Sequence, residues 1–412
     1  MRLKPPSLTN QILIAFVLGI GCGVFFPGFG QRLDILSTMF IRMVLMIIAP
    51  LVFSTLVVGI AGVSNAGTLG TLAVKSFLLF FLATGLSLAI GFGAAFLLQP
   101  GEGILGVMGE VGKVSGPVAA VSEQESFWLR LIPKSVVDAM ARGDVLQIVF
   151  FSVFFGVALR AVGERGRDVL GFFRALTEIM FTFAGYVMLA APIGVFGAAA
   201  AVMGKHGIGV LANFALFALS VLGGLMLLVF FLFPLLGVLA GVDVRTLFRH
   251  SREAVVLAFA TASSGVALPK GMAGLERFGI PRAIVAFVMS LGLSFNLTGT
   301  TLYIGSAVVF LVQAFQVPVT GWEWVELFVI FFIVSKGVPS VPRGSIVLLT
   351  MGLTSFGFPA EVIGTGVGIL LSIDPILDMA RTGSNMAGNC LITAVVARWR
   401  GENEIGTPGE AH

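Results

Sequence analysis

Five polar side chains, Asp374, Asp378, Arg381, Asn385 and Asn389, share one otherwise apolar stretch near the end of the chain, Asp374 to Arg398 (DPILDMARTGSNMAGNCLITAVVAR). Each lies three or four positions from the next, so the spacing predicts a single stripe along a helix. In hydrocarbon a lone charge is costly, so such a stripe must face a protein interior or an aqueous cavity and usually marks where a polar solute is held. A guanidinium offers a planar fork that matches a carboxylate, and a carboxylate accepts from an ammonium. Together Asp378 and Arg381 suit an amino acid with an extra carboxylate better than a sugar or a simple cation. The alternative reading of the same residues is an internal Asp–Arg pair that satisfies itself.

Composition places that helix in a membrane. Of 412 residues, 57% are hydrophobic and 11% charged, with a mean hydropathy of +1.03. An ordinary soluble domain carries roughly 25% charged residues, so too few are present here to build a water-facing surface. The chain has room for about eight full spans plus shorter elements. The net charge of +4 is not a nucleic-acid signal. Basic residues cluster at expected span ends: Arg2 and Lys4; Arg160, Arg165 and Arg167; Arg245, Arg249 and Arg252; Arg398 and Arg400. Placing all of them inside follows the positive-inside rule and puts both termini in the cytoplasm. Cys22 and Cys390 fall in expected spans, and no structural disulfide is expected. The N-terminal apolar segment lacks a small-residue cleavage pattern and reads as a retained first span.

The first six spans are expected at about 9–28, 36–62, 72–98, a fourth ending near Arg160, 172–200 and 209–240. A polar excursion runs from Gly101 to Ser126, and Pro133 opens an interfacial segment. These spans read as continuous apolar helices suited to scaffold and subunit contacts. The second half differs. Residues 253–280 are apolar but broken at Thr261, Ser263, Ser264, Gly265 and Pro269, and 323–358 are broken at Ser335, Gly337, Pro339, Ser340, Pro342, Arg343 and Gly344. Each reads as two half-length helices joined by a non-helical tip, tolerated at membrane depth only against protein or water; a kinked ordinary helix is the plainer reading. Between them, a seventh span at about 282–312 contains Ser294, Asn296, Thr298, Gly299, Thr300 and Thr301, which predicts an unwound turn whose carbonyls could coordinate a cation. Asn296 could instead be a helix-packing residue. Two broken segments, each followed by a polar-centred helix, are the expected sign of an inverted repeat around a midplane site.

With these residues in view, the chain resembles the dicarboxylate and amino acid:cation symporters, which include bacterial glutamate/aspartate transporters. The motifs are TASSGVALP (261–269), NLTGT (296–300), SKGVPSVP (335–342) and DMARTGSNMAGN (378–389). The resemblance covers nearly the whole chain. It implies an all-α membrane protein of the glutamate-transporter-like fold, with eight transmembrane helices, two re-entrant helical hairpins and inverted repeats. It also implies a homotrimer among membrane lipids, in which residues 1–71 and 101–205 form scaffold while 72–100 and 206–412 form a transport domain that moves as an elevator. Carried over residue by residue, Asp378 receives the substrate ammonium and Arg381 its side-chain carboxylate. Thr382 and Asn385 add polar contacts. Ser263 and Ser264 of the first hairpin bind the α-carboxylate, and backbone groups around Val341 and Pro342 close the second hairpin, whose gate comprises Pro339, Ser340, Arg343 and Gly344.

Departures from the family pattern bear on coupling. Sodium-coupled members typically carry Asp where this chain has Thr298 and a further acidic ligand where it has Asn389. Hard cations prefer oxygen ligands, so losing two carboxylates weakens a sodium site without abolishing carbonyl coordination. A weak sodium site remains at Gly292, Asn296 and Asn385, with Thr298 and Asn389 beside it. Protons are therefore expected over sodium as the coupling ion. Glu361, Asp374 and Asp378 are the acidic proton candidates, whereas His206 and His250 lie near expected span ends. Ser340 and Arg343 stand where glycines are usual and Pro339 replaces a common alanine, while Gly265 and Ala267 remove hydroxyls from the first tip. No nucleotide-binding loop or hydrolytic constellation is present, so no enzyme reaction and no cofactor is expected. The expected protein is a secondary symporter of glutamate and aspartate in the bacterial inner membrane. The alternatives are a sodium- or proton-coupled C4-dicarboxylate transporter and an anion-conducting, channel-like protein.

Overall fold

The computed structural model describes residues 8–62, 68–103, 129, 131–336 and 344–399. These residues form an all-helical protein: α1 (Leu8–Phe25), α2 (Pro27–Arg32), α3 (Asp34–Ala61), α4 (Thr68–Leu98), α5 (Val136–Arg142), α6 (Val145–Val162), α7 (Arg167–Met188), α8 (Ala191–His206) and α9 (Val210–Leu227). There follow α10 (Phe233–Leu239), α11 (Val244–Thr261), α12 (Ser264–Arg277), α13 (Arg282–Phe295), α14 (Thr298–Ala314), α15 (Gly321–Val334), α16 (Gly344–Phe356) and α17 (Ala360–Arg398). Six stretches among the described residues are long and apolar enough to cross a membrane: Pro27–Ala61, Leu72–Leu98, Leu146–Met188, Val210–Leu239, Arg282–Ala314 and Val362–Arg398. Exposed Phe, Leu and Ile side chains along α1, α4, α7 and α9 give them the apolar outer surface that lipid demands.

Proline and polar residues decide where these stretches break. The expected uninterrupted fifth span (172–200) is two helices, α7 and α8, because the chain turns at Leu189–Ala190 and Pro192 occupies the first turn of α8. Pro lacks the N–H that a helix interior needs but is well suited to a helix start. The expected sixth span (209–240) likewise passes through a π turn at Leu228–Leu232 before Pro234 opens α10. The first broken segment begins at Val244 rather than 253: Asp243 caps α11 by accepting from the N–H groups of Arg245 and Thr246 at 3.1 Å each. Arg245, Arg249 and Arg252 thus sit along an amphipathic helix that starts five residues after the apolar stretch ends at Leu239.

The two interrupted segments become helix pairs. α11 ends where Ala262 adopts a left-handed backbone (φ 48°), and Ser263 then caps α12 by accepting from the Val266 N–H at 3.4 Å. Two residues thus separate the arms, and Lys270 pairs with Glu253 across them at 3.3 Å. α15 and α16 pack on each other as the second pair, and residues 337–343 between them lie outside the described residues. None of these four helices exceeds 18 residues. The center is α14, buried along nearly its whole length and packed on α4, where Ser306 donates to the Gly91 carbonyl at 3.0 Å. The 39-residue α17 lies against α11, α12, α13, α14 and α16, and so brings its polar stripe to all of them.

Candidate functional site

The stripe on α17 divides into a charged half and a neutral half. In the charged half, Arg381 is fully buried and donates through Nη1 to Asp374 Oδ1 and through Nη2 to Asp378 Oδ1, both at 2.6 Å. Its guanidinium carbon lies 4.0 Å from the center of the Tyr303 ring on α14, a cation–π contact. Asp374 is also fully buried, whereas the Asp378 side chain keeps 13% of its surface exposed. Arg381 Nε and Asp374 Oδ2 have no hydrogen-bond partner among the described residues. Both arms of the fork are thus occupied by the protein's own carboxylates, a fuller version of the self-satisfied pair weighed from the sequence. Thr382 donates to the Asp378 carbonyl at 2.7 Å.

In the neutral half, Asn385 reaches the start of α14. Its Oδ1 accepts from the Gly299 N–H at 2.8 Å and the Thr300 N–H at 3.2 Å, and its Nδ2 donates to Thr300 Oγ1 at 3.0 Å. The chain leaves helical geometry at Asn296 and Leu297, as the polar run predicts, and the N–H groups freed at the new helix start take Asn385 as a cap from another element. The Asn385 amide is thereby committed to holding α14. One turn on, Asn389 Oδ1 accepts from Asn296 Nδ2 at 2.8 Å. Asn296 Oδ1, Asn389 Nδ2 and Thr298 Oγ1 are buried without partners among the described residues. Gly292 is required here, since an added Cβ would lie 2.5 Å from Asn389 Oδ1. Gly292, Asn296 and Asn389 therefore meet at one point that holds amide groups and no carboxylate, and Thr298 Oγ1 packs beside Gly388 of the same turn of α17. Among the described residues no group of three His, Cys, Asp or Glu side chains could hold a metal ion.

The first pair brings its tip to the same helix: a Cβ on Gly383 of α17 would meet Phe259 Cβ of α11 at 3.3 Å. Ser263 spends its hydroxyl as the cap of α12, while Ser264 is fully buried and its Oγ has no partner among the described residues. Of the second pair, Gly344 opens α16 and is buried; Pro339, Ser340, Val341, Pro342 and Arg343 lie outside the described residues. Glu361 falls in the first turn of α17, and its side chain is outside what is described. His206 ends α8 and is half-buried, and His250 Nδ1 lies 2.9 Å from the Thr246 carbonyl on α11. A cavity of about 360 Å³, lined by Thr55, Arg174, Thr177, Ser290, Ser294 and Phe295, approaches the broken span from the side of α3 and α7.

Sequence reasoning passed over two residues. Tyr303, under Arg381, is one of the chain's 2 tyrosines, and its position five residues after the NLT turn was the available signal. Lys336 lay within a quoted motif without a role, although a lone lysine in an apolar run is itself a flag.

A family model, the sodium:dicarboxylate symporter family, matches residues 8–399. The chain is 37% identical to a proton/glutamate-aspartate symporter of Bacillus subtilis over 94% of each chain. It is 37% identical to C4-dicarboxylate transport protein 1 of Mesorhizobium japonicum over 95% of this chain and 82% of that one. It is 34% identical to a proton/sodium-glutamate symport protein of Geobacillus stearothermophilus over 97% and 96% of the two.

Proposed function

The chain belongs to the sodium:dicarboxylate symporter family, and from that premise we propose that it carries glutamate and aspartate across a bacterial plasma membrane together with protons. The observation that carries the reading is the buried Arg381 held between Asp374 and Asp378, with only Asp378 reaching an exposed edge. Two carboxylates and one guanidinium leave an excess negative charge, and an acidic amino acid brings another. Moving both through hydrocarbon demands an added cation. A proton on Asp374 or Asp378 cancels one of these two charges within the site, and the neutral cluster at Asn296, Thr298 and Asn389 supports a proton over a sodium ion.

In this reading the solute's side-chain carboxylate replaces Asp378 on the Arg381 fork, and the released Asp378 receives the ammonium. The buried Ser264 hydroxyl, which has no partner among the described residues, and the N–H groups opening α12 take the α-carboxylate, a favorable place for an anion. Thr382 lines the site, and backbone around Val341 and Pro342, with the gate at Pro339, Ser340, Arg343 and Gly344, closes it. The helix pairs α11–α12 and α15–α16, too short to span singly, act as re-entrant hairpins, and eight spans complete the fold. Residues 72–100 and 206–412 move as an elevator against a trimeric scaffold of 1–71 and 101–205, with both termini in the cytoplasm. A C4-dicarboxylate is the second reading, favored by the equal identity to a relative named for that cargo.

The test is uptake by purified protein in liposomes, comparing glutamate, aspartate, succinate and malate under separately imposed proton and sodium gradients. Saturable, uphill, proton-driven accumulation of the amino acids is expected. Accumulation of succinate and malate alone would select the second reading, and passive anion flux without accumulation would reject both.

A further inference from the structure

Lys336 follows the last turn of α15, and its side chain runs into the protein rather than out to water, leaving the residue 7% exposed. Its Nζ donates to the Phe295 carbonyl at 3.0 Å, to Thr84 Oγ1, and at 3.5 Å to the Phe80 carbonyl. The Phe81 and Phe332 rings lie with their centers 5.2 and 5.7 Å away. Each ligand is oriented for a cation. Phe295 is the last residue of α13, so its carbonyl lacks an intrahelical donor and stands at the negative end of the helix dipole. Thr84 spends its own proton on the Phe80 carbonyl at 2.7 Å, which leaves its oxygen to accept. Ring faces add further attraction for a positive charge.

No carboxylate among the described residues pairs with Nζ. On the elements around it the ionizable side chains are engaged elsewhere or lie at distant helix ends. Lys75 of α4 donates to the Trp399 carbonyl, Arg282 of α13 faces Glu276, and Glu323 of α15 caps its own helix. Glu326 lies on α15 ten residues before Lys336, Arg160 lies in the last turn of α6, and on α14 and α17 Arg381 is held by Asp374, Asp378 and Tyr303. The three oxygens around Nζ, two carbonyls and a hydroxyl from α4 and α13, are all neutral, and oxygen is the donor that hard cations prefer.

We propose that the Lys336 ammonium is a tethered cation that fills an oxygen-lined site between α4, α13 and α15, in the place a free alkali-metal ion would otherwise take. It supplies that charge from within the chain, fastens the second helix pair to α4 and to the broken span, and keeps sodium out of the pocket. This holds whichever acidic solute is carried.

The test is thermal unfolding of the purified full-length protein in detergent, in sodium chloride against choline chloride at equal ionic strength, so that the readout needs no transport. Lys336→Ala, which empties the pocket, should lower the midpoint in choline by at least about 3 °C. It should recover saturably with sodium, through a gain absent from wild type. Lys336→Met, which fills the space without charge, should fall without recovering. Equal sodium gains in wild type and Lys336→Ala, or equal gains in the two variants, would overturn the proposal. If Lys336→Ala does not fold, Thr84→Val decides: a midpoint lowered equally in both salts supports a tethered cation, whereas an unchanged midpoint, or loss of a sodium gain present in wild type, refutes it.

Discussion

The two halves of the α17 stripe are about 12 Å apart along one helix and are built on opposite terms. Around Arg381 the contacts are ionic, at 2.6 Å, and join residues of α17 to one another. Around Asn385 and Asn389 they are neutral, at 2.8–3.2 Å, and join α17 to the start of α14 and the end of α13. Burying an ion pair costs several kcal/mol per ion and seldom stabilizes a fold relative to apolar packing. Folding alone therefore gives the charged half little advantage, and on the proposed reading its carboxylates give way to a solute while Arg381 keeps its contact with Tyr303. Losing the neutral half would free the N-terminus of α14. On the proposed reading, the comparison separates residues that act on cargo from residues that hold the start of α14.

Arg381→Ala gives the largest effect, because it strands two carboxylates, one of them fully buried. The expected cost to stability is about 3–5 kcal/mol, and acidic-solute uptake should be lost together with the fork. Arg381→Lys keeps the charge and removes the fork, so it should retain folding and lose affinity. Glutamate and aspartate uptake unchanged in Arg381→Ala would remove the charged half from the site altogether.

Asn389→Asp makes the neutral half resemble the charged one. A carboxylate would then lie beside Asn296 without a cation, destabilizing the protein on the order of 3 kcal/mol in choline. Sodium should restore much of this, measured as the thermal midpoint in the two salts. A sodium response no different from wild type would show that this missing ligand does not determine coupling. Gly292→Ala is milder. Its Cβ must push Asn389 off Asn296, an overpacking worth about 1–3 kcal/mol. The penalty should shrink in an Asn389→Ala background, and a penalty that simply adds would mean the two residues do not meet.

The stripe itself was legible because α-helical spacing puts residues three and four apart on one face. The break at Asn296 was legible because Asn, Thr and Gly sit where an apolar run should continue. The breaks before Pro192 and Pro234 were not, since apolar residues flank both and hydropathy runs straight across them. α11 was read as starting late because its arginines lie on one face of an amphipathic helix, which a span-end count cannot distinguish from a loop. That Asn385 caps α14, and that Lys336 meets Phe80, Thr84 and Phe295, depends on partners 41 to 256 positions away. No local pattern encodes those meetings, whereas the residue types already marked the positions as unusual.

Tyr303 gives the smallest effect and the finest cut between the two halves. Its ring supports the guanidinium, and Asp374 and Arg381 both act electrostatically on its hydroxyl, yet that hydroxyl is buried with no hydrogen-bond partner among the described residues. Removing an unsatisfied buried polar group is nearly neutral or stabilizing, so Tyr303→Phe should leave the midpoint within about 0.5 kcal/mol of wild type and glutamate affinity almost unchanged. Tyr303→Leu removes the aromatic face and should cost about 0.5–2 kcal/mol, with Arg381 free to shift and affinity reduced to match. A large loss in Tyr303→Phe equal to that in Tyr303→Leu would make the hydroxyl a working member of the charged half. Arg381 would then be held by hydrogen bonding on both sides, and the separation between an exchangeable charged cluster and a fixed neutral one would fail at the residue that joins α14 to α17.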